Sequence, residues 1–147
     1  MTILSPNFRI SEFEASQTAS RLGIVNKIPP ELMESARRTA RGLEEIRTLL
    51  GVPIIITSGY RNIHVNRALK SKDSSQHCKG EAADFVAPRF GGPRQIVDAI
   101  AQSEIAFDQL ILEFPPNGWV HVSFVKYKPR HEVLVIDADG TRPLYGE

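Results

Sequence analysis

The stretch SSQHCKGEAADF, residues 74–85, brings a histidine and an aspartate close together across a turn. Gly80 permits a sharp turn, and the two small alanines before Asp84 let neighbouring backbones approach closely. Asp84 lies among apolar residues of a predicted strand, Glu81–Val86, where an unpaired carboxylate is costly. Asp84 therefore needs a cation, a cluster of hydrogen-bond donors or a metal ion.

A second histidine lies in WVHVSF, residues 119–124, where apolar and other residues alternate. Such alternation places Val120, Val122 and Phe124 on one face of a strand, and Trp119, His121 and Ser123 on the other. If the first face joins the core, the second is an organised polar surface. The simplest alternative for this region is a polar outer face, with Asp84 bonded to backbone amides.

Two histidines and one aspartate, His77, Asp84 and His121, form a set that leaves a zinc ion an open position for water. A general base is then expected nearby, and Glu113 lies at the end of the preceding strand. If the two strands pair directly, Glu113 and His121 share a face only when the connecting loop has an odd number of residues or contains a bulge.

The surrounding sequence predicts an α+β fold with a small, mainly antiparallel sheet flanked by helices. Apolar residues from Leu32 to Leu50 recur every three or four positions after Pro29-Pro30, which predicts a long helix ending at Gly51. A short helix is expected around Ile63–Leu69, and another from Gly92-Pro93. The predicted strands, of which the first reads as buried, are Ile54–Thr57, Glu81–Val86, Gln109–Phe114, Trp119–Val125 and Glu132–Asp137.

Length and composition predict a single domain over residues 1–147. Residues 1–28 are expected to form an irregular N-terminal segment packed on that domain, with one short helix capped by Ser11. The formal net charge of +1 argues against nonspecific nucleic-acid binding, and no apolar run is long enough to insert into a membrane. The start of the chain lacks the pattern of a signal peptide, so we expect synthesis in the cytoplasm. Cys78, the single cysteine, is expected to be a small half-buried thiol.

These motifs together resemble the zinc D-alanyl-D-alanine carboxypeptidase family. The resemblance rests on SGYR at 58–61, SQHxxGxAxD at 75–84, Glu113 and WVHVS at 119–123, in the order of the family. The chain is most similar to the short members encoded by phages and prophages, including their opening at residues 7–13. The wider superfamily includes D,D-dipeptidases and hedgehog domains, and it implies a hedgehog/DD-peptidase-like fold.

The resemblance implies one zinc ion held by His77, Asp84 and His121, with Glu113 as the catalytic base. It implies that Arg61 faces the substrate, pairing with its carboxylate or with the carbonyl that becomes an oxyanion. Ser75 and Gln76 are then polar substrate contacts, and Tyr60 and Trp119 are candidate walls of the groove, although either could pack on the core. Several relatives carry the base three residues before the last zinc histidine, where this chain has Gly118.

The function implied is hydrolysis of peptide bonds in peptidoglycan stem peptides. We expect a monomer, because nothing in the sequence suggests an obligate dimer. Both carboxypeptidase action on D-Ala-D-Ala and endopeptidase action between L-Ala and D-Glu occur in the family. A phage-type member is expected to reach the cell wall or periplasm through a partner or a virion. The alternatives are a zinc-binding wall-binding or virion protein without turnover, and a non-haem iron oxygenase using the same ligand set.

Overall fold

The computed structural model describes residues 2–146. Its centre is a six-stranded sheet with the strand order β3-β4-β6-β5-β7-β8, preceded by a separate two-stranded hairpin, β1 and β2. The strands are β1 Ile3–Ser5, β2 Phe8–Arg9, β3 Ile55–Ser58, β4 Ala82–Val86, β5 Gln109–Glu113, β6 Trp119–Ser123, β7 Glu132–Asp137 and β8 Gly140–Pro143. Only β5 and β7 pair in parallel, so the predicted α+β class with a mainly antiparallel sheet is confirmed.

The two longest helices cover one face of this sheet. The α-helices are α1 Ile10–Glu14, α2 Gln17–Leu22, α3 Met33–Leu50, α4 Ile63–Ala68 and α5 Pro93–Ala101, and short 3-10 helices span Pro30–Leu32 and Gln76–Lys79. The apolar sides of α3 and α5 join the core through residues such as Leu43 and Ile96, which meet Phe85, Leu110 and Val120 of the sheet. Burial of this apolar surface is the main stabilising contribution to the fold. The opposite face of the sheet is left to form a site.

The long helix matches its prediction closely. It ends at Gly51, which adopts a left-handed conformation with φ +72°. Within the helix, Gly42 is buried, and a Cβ there would lie only 2.3 Å from the Phe124 ring. The missing side chain therefore lets the end of β6 pack directly against α3, which brings the sheet close to the helix.

Two expectations at the edges of the fold are wrong, and one strand at the other edge was not predicted. The N-terminal segment contains the hairpin and two helices rather than one, and α1 begins before Ser11, with the Glu12 carboxylate accepting a hydrogen bond from the Arg9 N–H. Strand β3 is not buried, because it forms the sheet edge and leaves Ile55 54% exposed. The turn at Asp139-Gly140 leads into β8, which the sequence did not predict.

Among residues 2–146, no helix combines the length and the apolar character needed to cross a membrane.

Candidate metal centre

Three sequence-predicted ligands meet on the open face of the sheet. Asp84 on β4 and His121 on β6 are direct cross-strand partners, so their side chains project to the same side. His77 reaches them from the 3-10 helix Gln76–Lys79. One Asp84 carboxylate oxygen, Oδ1, lies 3.3 Å from His77 Nε2 and 3.0 Å from His121 Nδ1. All three residues are buried.

Backbone contacts fix the orientation of His77. Its Nδ1 lies 2.7 Å from the Gly59 carbonyl oxygen, which makes Nδ1 the protonated nitrogen and leaves Nε2 free toward Asp84. The Ser75 hydroxyl accepts a hydrogen bond from the His77 N–H and so caps the short helix. Gly59 is held close to α1, since a Cβ there would lie 2.7 Å from Phe13 Cα. The N-terminal helix therefore helps to hold the ring in place.

The residues present fit a small divalent metal ion. Two donors bonded at 2.0–2.1 Å to a tetrahedral zinc ion are about 3.3 Å apart, close to the distances from Asp84 to the histidines. Burial raises the pKa of Asp84, but the neighbouring His77 and His121 outweigh it and hold that pKa well below its ordinary value. Asp84 is therefore ionised, which is the form a metal ligand requires. Two histidines with one carboxylate suit either zinc or iron(II).

Glu113 lies beside this set, at the end of β5. It pairs with Trp119 across the ladder, while Ile111 pairs with His121, so Glu113 and His121 lie on the same face. The connection, residues 114–118, holds an odd number of residues, which meets the condition derived from the sequence. Glu113 Oε2 lies 3.8 Å from His121 Nδ1.

The surroundings of Glu113 suit a proton acceptor. Burial raises the pKa of its carboxyl group, and the negative charge of Asp84 adds to that effect. The neighbouring His121, the cationic Arg61 and Trp119 offset part of the rise in this pKa. A carboxylate of this kind holds a proton more readily than one in water, which is useful for general acid–base catalysis.

The structure also explains the glycine at position 118. A Cβ on Gly118 would lie 1.7 Å from the Glu113 carbonyl oxygen. The turn after β5 thus folds back on its own backbone and leaves no room for a side chain there. In this chain the carboxylate beside the histidines comes from Glu113, and the tight turn holds it there.

Arg61 follows β3 and is largely buried, with a side chain 14% exposed. Its guanidinium Nη2 lies 3.5 Å from Asp84 Oδ2, its Nε donates to the Ser58 hydroxyl, and its Nη1 donates to the Asn66 side-chain oxygen. Sequence reasoning missed Asn66, which is fully buried on α4. Asparagine is unfavourable inside a helix, so its presence within the predicted helix Ile63–Leu69 is the sequence feature that could have pointed to a role for Asn66.

Two clefts open beside the metal triad, the name used for His77, Asp84 and His121. Both clefts are lined by Arg61, Asp84 and Trp119. The first cleft, of about 620 Å³, also contains Glu113, Ser75 and Gln76. The second, of about 660 Å³, continues along β3 and is bounded by residues 15–18 of the N-terminal segment.

Tyr60 lines neither cleft. Its side chain belongs to the hydrophobic core and is 7% exposed. Its backbone is fixed by the Phe13 carbonyl and by Asn26, so the loop turns the ring inward. Of the five predicted substrate contacts, the structure brings Arg61, Ser75, Gln76 and Trp119 to the clefts and leaves Tyr60 out.

The remaining histidines and the cysteine lie outside the metal set. His64 and His131 are exposed, and His131 stacks on Phe107. Cys78 is partly buried, as predicted, and burial raises the pKa of its thiol. A raised pKa makes the thiol a weak nucleophile and a weak metal ligand at neutral pH.

An α+β sheet with two histidines, an aspartate and an adjacent glutamate on its open face defines a metal-dependent hydrolase type of site. The family model described as Peptidase M15 matches residues 6–123, and the chain belongs to this family. Its members are typically metal-dependent peptidases, so the family implies a peptide or peptidoglycan substrate. Comparison with curated proteins gives no significant match.

Proposed function

We propose that this protein hydrolyses peptide bonds in peptidoglycan stem peptides, using one zinc ion held by His77, Asp84 and His121. The observation that carries the proposal is the placement of Glu113 beside this buried triad, on the same face of the sheet and inside an extended cleft. A structural metal site is usually closed by four protein ligands, whereas this set has three and a neighbouring free carboxylate.

Each residue near the triad has a defined role in the proposed reaction. A zinc ion held by the three ligands would supply Lewis acidity, which polarises a carbonyl group and lowers the pKa of a water molecule to about 7. Glu113 accepts a proton from the attacking water and delivers it to the amine that leaves when the C–N bond breaks. Arg61 stabilises the negative charge that develops on the carbonyl oxygen, and the loss of one such group typically costs about 10²–10³ in rate.

The two clefts favour an internal bond over a C-terminal one. They meet at Arg61, Asp84 and Trp119, so substrate residues on both sides of the cleaved bond find a groove. A carboxypeptidase needs space for only one residue on the leaving side. We therefore favour endopeptidase action, such as cleavage between L-Ala and D-Glu, over removal of a terminal D-Ala.

The proposal extends to where and how the protein acts. All the groups assigned to the reaction come from one chain, which is consistent with a monomer. On the sequence resemblance to short phage and prophage members, we propose action on the cell wall or periplasm after delivery by a phage-type route.

Mass spectrometry of muropeptides after digestion of purified peptidoglycan tests this function and identifies the bond. We expect zinc-loaded protein to release peptides with a new amino terminus, and protein treated with a chelator to release none. Activity should return when zinc is added back. The absence of any new peptide across several wall chemotypes, with zinc bound, would contradict the proposed hydrolysis and favour a binding protein.

A further inference from the structure

One wall of the first cleft carries a cation and hydroxyl groups but no carboxylate. The residues of this wall, referred to below as the serine-lysine wall, are Ser71, Lys72, Ser74, Ser75 and Gln76. The one acidic residue within the same segment, Asp73, is instead paired with Arg67 in an exposed bidentate contact. Within residues 2–146, Lys72 forms no ion pair with a carboxylate, so its charge is left uncompensated.

The serine-lysine wall is anchored to the catalytic groups. The Lys72 carbonyl accepts hydrogen bonds from the Asn66 side-chain amide at 2.7 Å and from the Ser75 N–H at 3.0 Å. The other end of the same buried amide accepts a hydrogen bond from Arg61. Asn66 therefore fixes the backbone of Lys72 relative to the guanidinium that faces the proposed scissile bond.

Arg130, the other cation of this part of the cleft, is already engaged. Two of its guanidinium nitrogens donate to the Asp108 carboxylate, and its backbone N–H does the same. Gln76 donates to the same carboxylate, so Asp108 already accepts hydrogen bonds from several protein groups, and Arg130 is its ion-pair partner. This leaves Lys72 as the positive group of the wall that is available to a ligand.

We propose that the serine-lysine wall is a carboxylate subsite, in which Lys72 and the neighbouring hydroxyls recognise a free carboxylate of the stem peptide. This rests on the proposed stem-peptide substrate and specifies it as the acidic, non-amidated form. A stem peptide can offer this group from two sources, the α-carboxylate of a γ-linked D-Glu and the carboxyl terminus. A partly exposed lysine–carboxylate contact is expected to change affinity by about fivefold.

The test measures binding of stem peptides by calorimetry in zinc-loaded Glu113→Gln protein, in which the peptide stays uncleaved. Three ligands are compared: a peptide with both carboxylates free, one amidated at D-Glu and one amidated at the carboxyl terminus. Lys72→Gln should weaken binding of the free peptide about fivefold, and less in 1 M salt. Lys79→Gln is the matched control, because Lys79 is exposed and lines neither cleft, and it should change affinity less than about twofold.

The amidated ligands identify the source of the carboxylate. If Lys72 contacts one of the two carboxylates, the peptide amidated at that carboxylate should bind about fivefold more weakly than the free peptide to the protein with Lys72 intact. Lys72→Gln should cause no further loss of affinity for that amidated peptide. Equal losses on all three ligands, an effect no larger than that of Lys79→Gln, or no binding at all would overturn the subsite. Binding is measured without turnover, so the two proposals can fail separately. If Lys72→Gln weakens binding as expected but the hydrolysis assay releases no peptide, only the proposed reaction is rejected.

Discussion

At the scale of single residues, Asp84 is the centre of the site. It is buried, and its Oδ1 lies near a nitrogen of both His77 and His121. A carboxylate in this position without a positive partner would be strongly destabilising. A metal ion bound by Asp84, His77 and His121 would supply such a positive partner and satisfy all three side chains at once.

Replacing Asp84 with asparagine should therefore remove most of the metal affinity. The amide side chain would keep the volume but replace the ionised carboxylate, the form in which aspartate binds a metal, with a neutral amide oxygen, which is a weaker zinc ligand. We expect zinc content after dialysis to fall from near one ion per chain to a small fraction, measured by elemental analysis. Asp73→Asn is the control, since Asp73 pairs with Arg67 at the surface, and it should retain zinc like the original protein. Full zinc retention by the Asp84→Asn variant would exclude Asp84 as a ligand.

At the scale of elements, the turn between β5 and β6 determines where Glu113 points. Gly118 packs against the Glu113 carbonyl, and the odd length of the turn keeps Glu113 on the face of His121. The position of the proposed base thus depends on backbone contacts within one hairpin.

Gly118→Ala should disturb this arrangement without touching the metal ligands. The new Cβ cannot be accommodated at 1.7 Å, so the backbone of Glu113 must shift. A misplacement of about 1 Å can cost about 10² in rate, and we expect a loss of this order in peptide release, with zinc content unchanged. Gly92→Ala provides the comparison, because a Cβ there meets nothing within 4 Å. Equal activity of the two variants would show that the turn does not position Glu113.

Asp108 links three elements and makes stability depend on pH. At the start of β5, it accepts hydrogen bonds from Arg130, before β7, and from Gln76 of the 3-10 helix. The Arg130 hydrogen bonds lower the pKa of Asp108 more than burial raises it. A folded-state pKa below the unfolded value of about 3.9 gives stability that is present above that value and lost as the pH falls through the folded-state pKa.

Asp108→Asn should therefore lower the free energy of unfolding by about 1–3 kcal/mol at pH 7. The difference from the original protein should narrow as the pH falls below about 4, because protonation removes the same charge from Asp108. Urea denaturation between pH 7 and pH 3 measures both. A difference that stays constant over this range would mean that the Asp108 charge contributes nothing.

The sequence predicted the helices and strands whose apolar residues recur with a clear period. It did not predict features that depend on contacts between residues far apart in the sequence. The apolar spacing of α3 and the alternation in β6 were sufficient, because one face of each is buried in the core. Strand β8 is exposed along its whole length, so no hydrophobic pattern marked it. The roles of Asn66 and Tyr60 depend on hydrogen bonds to other loops, which no local pattern contains.

At the scale of the whole molecule, the two faces of the sheet have different roles, one in stabilising the fold and the other in forming the site. Its covered face packs on α3 and α5, while its open face carries the metal ligands, the proposed base and the floor of the clefts. A formal net charge of +1 provides no long-range field for an anionic polymer. Recognition of the substrate is therefore assigned to local contacts in the clefts.

In the proposed reaction, a metal ion at the triad and Glu113 act together on a peptide bond. The decisive measurement is the initial rate of peptide release from peptidoglycan by the Glu113→Gln variant, compared with the original protein at matched zinc content. We predict that the variant binds zinc like the original protein and releases peptide about 10²–10⁴ times more slowly. If the variant retains zinc and still releases peptide within about threefold of the original rate, far short of the effect of a lost general base, Glu113 is not the catalytic base.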